Sequence, residues 1–264
     1  MVIKVTILEQ TIKYKRPDLY NDIEKEVLFF QKEYAGARGS VLQEDIFRII
    51  EEIEDVDLLI FPVEDDELCG FICEYKGQVF IYINSYLPYE KQIFAAGHEL
   101  YHFLKKHNKE LLCLKTLEEN NKSNMENKAN LFAAILLVPE ESLKKELSLL
   151  KVKSGDDLDV LNVIKLMDIF AVPFKTIILR LYEIEILNER EAEKWLAVSD
   201  RDTDKGILKQ IKKHKIAERW QKRTREIKYS NLRFLVMDND ELELLPRQKI
   251  EKDLAIIKQD DENG

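Results

Sequence analysis

Apolar residues recur every three or four positions over most of this 264-residue chain, which is the period of an amphipathic α-helix. Five such helices are predicted in the first 152 residues: 18–34, 42–54, 88–107, 125–138 and 139–151. Pro88 suits the first position of a helix because its missing N–H has no helical partner there, and Pro139 stops the helix before it. The first part of the chain is therefore predicted to be mainly helical.

The pattern changes between residues 55 and 84, where β-branched and aromatic residues are concentrated. Two runs of this kind flank Lys76-Gly77, a pair suited to a hairpin turn. A further strand is predicted at residues 2–8. We therefore expect an α+β fold in which helices accompany a small, mainly antiparallel sheet.

A short polar linker at residues 153–156 divides the chain. The helical repeat resumes after it, and the basic stretch 204–228 is predicted to be one long helix. We interpret 157–230 as a small helical domain of helix-turn-helix type, following a first domain over 1–152. Residues 231–264 are predicted to form a C-terminal hairpin and an acidic tail.

The composition sets limits on the class of protein. The chain has only 8 Gly and 6 Pro, which favours long helices over many tight turns. It has no run of about 18 apolar residues, and its start lacks the apolar segment and cleavage site of a signal peptide. We therefore expect a cytoplasmic protein without a membrane partner. The 3 Cys are an odd number, so reduced thiols are expected rather than a disulfide framework.

The charge is unevenly distributed. A formal net charge of −9 argues against a chain that binds nucleic acid over its whole surface. Residues 201–233, however, contain twelve Lys or Arg against four Asp or Glu. This basic stretch is either the solvated face of a helix or a docking surface for an acidic partner or DNA.

The strongest chemical signal lies in residues 95–107, AAGHELYHFLKKH. His98 and His102 are four residues apart, so on a helix they lie one above the other on the same face and can reach one metal ion. Glu99 lies about 100° around the helix from His98, where it can take a proton from a metal-bound water. His-Glu-x-x-His thus supplies two ligands and a base.

A catalytic zinc site of this kind usually needs a third protein ligand. The nearby candidates are Glu110, Glu118, Glu119 and Glu126. Glu126 opens a strongly apolar helix that could pack rigidly against the first one. The same glutamate also fits a capping box with Ser123, in which it would only cap a backbone N–H. Spacing alone leaves both alternatives open.

Two segments together resemble the ImmA/IrrE family of zinc metallopeptidases. They are IYINSYLPYEKQIFAAGHELYHFLKKH at 81–107 and MENKANLFAAILLVPEE at 125–141. The family signature is a strand ending in Asn, then HExxH, and then a helix with the pattern E-x-x-A-N-x-F-A-A. Both halves are present in the same order. The resemblance implies a zincin-like core made of a small sheet and active-site helices.

The resemblance also implies residue roles. It makes His98, His102 and Glu126 the ligands of a gluzincin-like zinc site and Glu99 the general base. Asn130, one turn beyond Glu126, either hydrogen-bonds to one of the ligands and orients it or is an ordinary amide on the helix surface.

The chain departs from the family pattern at two positions. It has Tyr101 where Gly is usual and Gly97 where Ala is usual. Tyr101 either lines the cleft and contacts substrate or simply packs. Residues 78–84, just before the active-site helix, are either the strand at the edge of the cleft or an interior strand.

By analogy with the family, the function is expected to be hydrolysis of a peptide bond by an intracellular zinc endopeptidase. The implied substrate is a helix-turn-helix repressor, which makes the protein an anti-repressor of a mobile element, phage or stress regulon. The alternative is a catalytically weak protein of the zincin fold that binds a repressor or DNA.

Overall fold

The structure is a computed structural model, and it describes residues 17–35, 41–107, 119–200, 202–229 and 232–261. Its strands are β1 (Val56–Phe61), β2 (Gly70–Tyr75), β3 (Gln78–Asn84) and β4 (Lys228–Tyr229). Its α-helices are α1 (Pro17–Phe30), α2 (Asp45–Glu51), α3 (Tyr89–His107), α4 (Glu119–Leu137), α5 (Glu140–Leu149), α6 (Val160–Phe170), α7 (Phe174–Glu183), α8 (Glu189–Leu196), α9 (Ile207–His214), α10 (Leu232–Glu241) and α11 (Arg247–Asp261). A π-helical turn at Gln31–Ala35 extends α1, and 3₁₀ turns lie at Gly155–Asp157 and Glu218–Gln221. The mixed α+β architecture is as predicted.

The four strands form one sheet in the order β2-β3-β1-β4. The β2–β3 and β1–β4 pairs are antiparallel, whereas β1 and β3 are parallel, so the sheet is mainly antiparallel as expected. Lys76 and Gly77 both have positive φ, which is the backbone of the tight turn that joins two twisted antiparallel strands. β3 is an interior strand, so the idea that residues 78–84 form the cleft edge is wrong. Within the described chain the outer strand on that side is β2.

One hydrophobic core extends from Tyr20 to Trp220. It includes the apolar faces of α3 and α4, which pack along each other, and α3 also packs against β2 and β3. The core continues across the predicted linker into α6 and α7. The domain boundaries near residue 152 therefore stay a prediction. None of the described helices combines the length and apolar character needed to cross a bilayer.

The prediction of one long helix over 204–228 is wrong. α9 ends at His214 because Lys215 and Ala217 both adopt positive φ, which a helix cannot continue through. The chain then turns so that Trp220 enters the core, where its Nε1 donates to the Asp168 carbonyl 3.0 Å away. Burial of this indole outweighs local helix propensity.

The predicted C-terminal hairpin is also wrong, because α10 and α11 occupy that part of the chain. Val236 and Ile250 pack together with Leu254 in a small cluster separate from the main core. The predicted acidic tail is helical as far as Asp261, and residues 262–264 lie outside the described residues. The strand predicted at residues 2–8 lies outside the described residues.

Candidate metal centre

α3 carries the first two candidate ligands. Its apolar face is buried through Ile93, Ala96, Leu100 and Phe103. His98 and His102 lie beside this face and keep about the same partial exposure, with their Nε2 atoms 3.2 Å apart. Helix periodicity alone sets this pairing, since positions i and i+4 share one face.

α4 brings Glu126 to the same point. Its Oε2 lies 3.0 Å from Nε2 of His98, and its Oε1 lies 3.5 Å from Nε2 of His102. One ligand atom from each of the three residues falls within 4.8 Å of the others. α4 begins at Glu119, so Ser123 is already inside the helix and cannot cap its start. The capping-box alternative for Glu126 is therefore wrong.

Asn130 lies one turn beyond Glu126 on α4. Its Oδ1 is 2.9 Å from Nδ1 of His98, so Nδ1–H donates to it and Nε2 faces Glu126. Nε2 is therefore the nitrogen that could bind a metal ion after giving up its own proton. The structure therefore places all three candidate ligands and the amide that orients one of them around one point.

The ionisable groups influence one another strongly. Burial disfavours the charged form of His98, but its hydrogen bond to Glu126 and the nearby carboxylates outweigh burial and raise the pKa of His98. Hydrogen bonds from His102 and His98 hold the pKa of Glu126 well below its usual range. A carboxylate that stays ionised opposite two ring nitrogens is a donor set that suits a divalent cation.

Glu99 is only 7% exposed, and burial raises the pKa of its carboxyl. The neighbouring imidazoles of His98 and His102 oppose this shift. The chain at Gly70 passes directly over it, since a Cβ there would lie 3.2 Å from Cγ of Glu99. Glu99 thus sits beside the ligand group and under the start of β2.

Gly97 sets how closely the two helices approach. A Cβ built on it would lie 3.2 Å from Cβ of Ala133 on α4. Two small residues at this crossing let the α3 and α4 backbones come together. The close approach holds Glu126 against the two histidines.

The sequence and its comparison with known proteins agree with this geometry. Residues 52–182 match the Peptidase M78 family, described as the IrrE N-terminal-like domain. Residues 52–182 therefore form a domain of the M78 peptidase family. The match covers β1 to α7, which contain every residue of the metal centre, and it confirms the resemblance found in the sequence.

A solved structure of a Mycobacterium tuberculosis transcriptional regulator is also similar to the chain. The identity is 15% and the TM-score 0.47, over 66% of this chain and 50% of the other. This chain thus spans half the length of that structure. A comparison with curated proteins found no match.

The M78 domain has an open cleft of about 530 Å³ above the metal centre. His98, Glu99 and Glu126 line its floor. Residues 66–70 form one wall, and Pro173 and Thr176 at the start of α7 contribute another part of the lining.

Tyr101 does not face the cleft of the M78 domain. Its side chain is fully buried, with its ring 5.4 Å from that of Phe132. The suggestion that Tyr101 contacts substrate is therefore wrong, and the packing alternative is correct. Of the other glutamates considered, Glu110 and Glu118 lie outside the described residues.

Sequence reasoning missed several residues of the cleft in this M78 domain, including Asp66, Gly70 and Thr176. Asp66 and Gly70 belong to a loop and a strand end, where periodicity carries no information about side-chain direction. The one available signal was Asn84, the asparagine that ends β3 in the family pattern. In the structure this amide is fully buried and hydrogen-bonded to the loop that contains Asp66.

Proposed function

We propose that this chain is a zinc-dependent endopeptidase that hydrolyses a peptide bond in a protein substrate. The main support is that His98, His102 and Glu126 lie together beside the buried carboxyl of Glu99. Two imidazoles and one carboxylate are the ligand set of many zinc peptidases, and they leave room for a further ligand.

The residues fit zinc. The three donor atoms already lie within 4.8 Å of one another, and Asn130 orients the ring of His98 so that Nε2 faces Glu126. A bound Zn²⁺ would polarise the substrate carbonyl and lower the pKa of a water molecule at the site. Within the described residues no other cluster of this kind occurs, and neither exposed cysteine, Cys69 or Cys73, joins it.

In this proposal Glu99 is the proton carrier. Its carboxylate follows His98 on α3 and lines the cleft floor, so it can accept the proton of the attacking water and pass it to the leaving amine. No covalent bond between enzyme and substrate is needed. Burial of Glu99 keeps bulk water from competing for that proton.

β2 supplies a surface for an extended peptide. It forms the outer edge of the described sheet and begins at Gly70, next to Glu99. An extended segment could add to this edge as a further strand and be held by backbone hydrogen bonds. Binding of this kind would place a peptide bond of the substrate over the metal centre. It would depend little on the side chains of the substrate.

The proposed substrate class is a helix-turn-helix repressor in the cytoplasm, cleaved to derepress mobile-element, phage or stress genes. This part rests on the resemblance to the ImmA/IrrE family. The basic stretch is a candidate for docking such a partner, since Lys209, Lys212 and Lys213 on α9 are exposed. Direct DNA binding by the same face is an alternative use of these lysines.

The test is cleavage of the repressor encoded beside the gene by zinc-loaded protein, followed by mass spectrometry. Glu99→Gln should reduce cleavage by at least about a hundredfold, because the proton acceptor is lost. The matched control Glu193→Gln, an exposed glutamate on α8, should cleave like the wild type. Equal cleavage by the wild type and Glu99→Gln would refute the assigned base. Repressor binding without cleavage would favour the catalytically weak regulatory protein.

A further inference from the structure

Residues 62–69 connect β1 to β2 and are called the wall loop below. Asp66, Glu67, Leu68 and Cys69 of this loop line the cleft above the metal centre. The loop then runs into Gly70, whose backbone lies against the Tyr82 carbonyl and next to Glu99. A displacement of the wall loop would therefore change the space around the proposed base.

Asn84 holds the wall loop from inside the protein. Its Nδ2 donates to the carbonyls of Val63, Asp65 and Leu68 at 2.9, 3.1 and 2.9 Å. Its Oδ1 accepts from the backbone N–H groups of Val63 and Tyr86 at 2.9 and 3.1 Å. The side chain is fully buried, so these bonds are shielded from water. One amide thus fixes both ends and the middle of the loop.

Arg223 holds the same loop from outside. Its Nη2 lies 2.8 Å from Oδ1 of Asp66, its Nη1 donates to the Tyr86 carbonyl at 3.1 Å, and its guanidinium stacks on the Tyr86 ring at 4.2 Å. Arg225 adds a longer contact of 3.7 Å to Glu64. Two arginines therefore pair with the acidic side chains of the wall loop.

Arg223 belongs to residues 222–229, called the strap below, which are themselves anchored to the M78 domain. The backbone of Tyr89 donates to the Lys222 carbonyl at 2.9 Å, and that of Arg225 donates to the Ser85 carbonyl at 3.0 Å. The strap ends in β4, which pairs with β1. It lies more than 35 residues beyond the end of the family match at residue 182.

We propose that Asn84 and Arg223 are positioning residues for substrate binding, and that the strap completes the cleft of the M78 domain from outside it. The inference rests on the proposed peptidase function, because it assigns the wall loop to the peptide-binding surface. Neither residue contacts His98, His102 or Glu126 in the described hydrogen bonds and ion pairs. Peptide binding and metal binding should therefore respond differently to their substitution.

Substitutions at Asn84 and at Arg223 should disturb the wall loop to different degrees. Asn84→Asp replaces the donor of three hydrogen bonds with an acceptor that repels the same three carbonyls. Arg223→Gln removes a half-exposed ion pair and a stacking contact, which is a milder change that the fold should tolerate. Arg219→Gln is the matched control, since Arg219 is an exposed arginine with its own ion pair to Asp168.

The experiment compares each full-length variant with wild type by three measurements. Hydrogen–deuterium exchange reports the mobility of residues 62–69, and competition with a chelator reports zinc affinity. Binding to the zinc-loaded protein is compared for a peptide hydroxamate and for acetohydroxamate, which shares the chelating group but has no peptide. Comparing the two hydroxamates distinguishes the effect of contacts to the cleft wall from the effect of contacts to the metal.

Arg223→Gln should speed exchange in the wall loop by at least about threefold and weaken the peptide hydroxamate by a similar factor. Asn84→Asp should have a larger effect than Arg223→Gln on both the exchange rate and the affinity for the peptide hydroxamate. Zinc and acetohydroxamate affinities should stay within about twofold, and Arg219→Gln should match the wild type in every measurement. Unchanged exchange in both variants, or parallel loss of zinc and peptide affinity, would overturn the inference. If the wild type cleaves no repressor in the test described above, the peptidase proposal fails. The exchange and zinc measurements would still decide whether Asn84 and Arg223 hold the wall loop in place.

Discussion

Nδ1 of His98 lies 2.9 Å from Oδ1 of Asn130, on the side of the ring opposite to Glu126. The contact joins α3 to α4 at the metal centre and fixes which ring nitrogen faces the ligand group. A supporting hydrogen bond of this kind orients a metal ligand and increases its basicity.

Replacing Asn130 should therefore weaken zinc binding without removing a ligand. We expect Asn130→Leu to lower zinc affinity by about 10- to 100-fold, because Nδ1–H of His98 loses its acceptor. Asn130→Asp keeps an acceptor oxygen and should stay close to wild type. Chelator competition measures both variants, and equal zinc affinity for Asn130→Leu and wild type would show that the contact is dispensable.

The crossing of α3 and α4 should limit the size of residue 97. Gly97→Val places a branched side chain where even a Cβ lies 3.2 Å from Ala133, so the helices must separate and Glu126 must move. We expect zinc affinity to fall at least about tenfold. Gly97→Ala needs a shift of only a few tenths of an ångström and should be mild. Undiminished zinc binding by Gly97→Val would show that the helix spacing does not control the site.

Glu90 should make folding stability depend on pH. Burial raises the pKa of its carboxyl to about 8 from 4.5, opposed by its hydrogen bond from Gln221 and by the charge of Lys91, while Asp200 adds to the rise. The folded state therefore favours the protonated form. Its contribution is present below pH 4.5 and is lost as the pH rises through 8.

The measurement is urea unfolding of the metal-free protein at several pH values between 5 and 8. Wild type should lose on the order of 2–4 kcal/mol of unfolding free energy relative to Glu90→Gln over this range. The two proteins differ only at residue 90, so contributions from the rest of the chain cancel in the difference. A difference that does not change with pH would contradict the assigned burial effect.

Loss of a buried ion pair should lower the free energy of unfolding more than loss of an exposed one. Arg180 is fully buried and its Nη1 lies 2.5 Å from Oε2 of Glu183, while its Nε donates to the Val138 carbonyl at 3.1 Å. Glu183→Ala leaves the guanidinium charge without this partner and should cost about 3–5 kcal/mol of unfolding free energy.

The control for this change is Glu52→Ala, which removes an exposed pair with Arg48 of similar length, 2.6 Å. It should cost less than about 1 kcal/mol. Chemical denaturation measures both variants, and similar losses for the two would contradict the role of burial.

Local periodicity predicted the part of the metal centre that lies on one helix. His98, Glu99 and His102 are related by the helical repeat, so their mutual arrangement follows from the sequence. Glu126 comes from a second helix, and only the family resemblance selected it over the capping alternative. Asp66 and Arg223 are 157 residues apart, a contact that no local pattern encodes.

The errors in the predicted fold arose where tertiary packing outweighs local preference. Nothing at Lys215 or Ala217 marks a break in the helix, since neither Gly nor Pro is present, yet both adopt positive φ. Trp220 becomes part of the core and redirects the chain toward β4. Residues 232–246 favoured strands by their apolar runs, but packing between Val236 and Ile250 stabilises a pair of helices instead.

The proposed function requires that His98, His102 and Glu126 bind one divalent ion together. The most direct measurement is a crystal structure of zinc-soaked protein with anomalous data on both sides of the zinc absorption edge. We expect one strong peak at about 2.0–2.2 Å from both Nε2 atoms and from a carboxylate oxygen of Glu126. A peak bound by other residues, or Glu126 turned away from a zinc held by the two histidines, would contradict it.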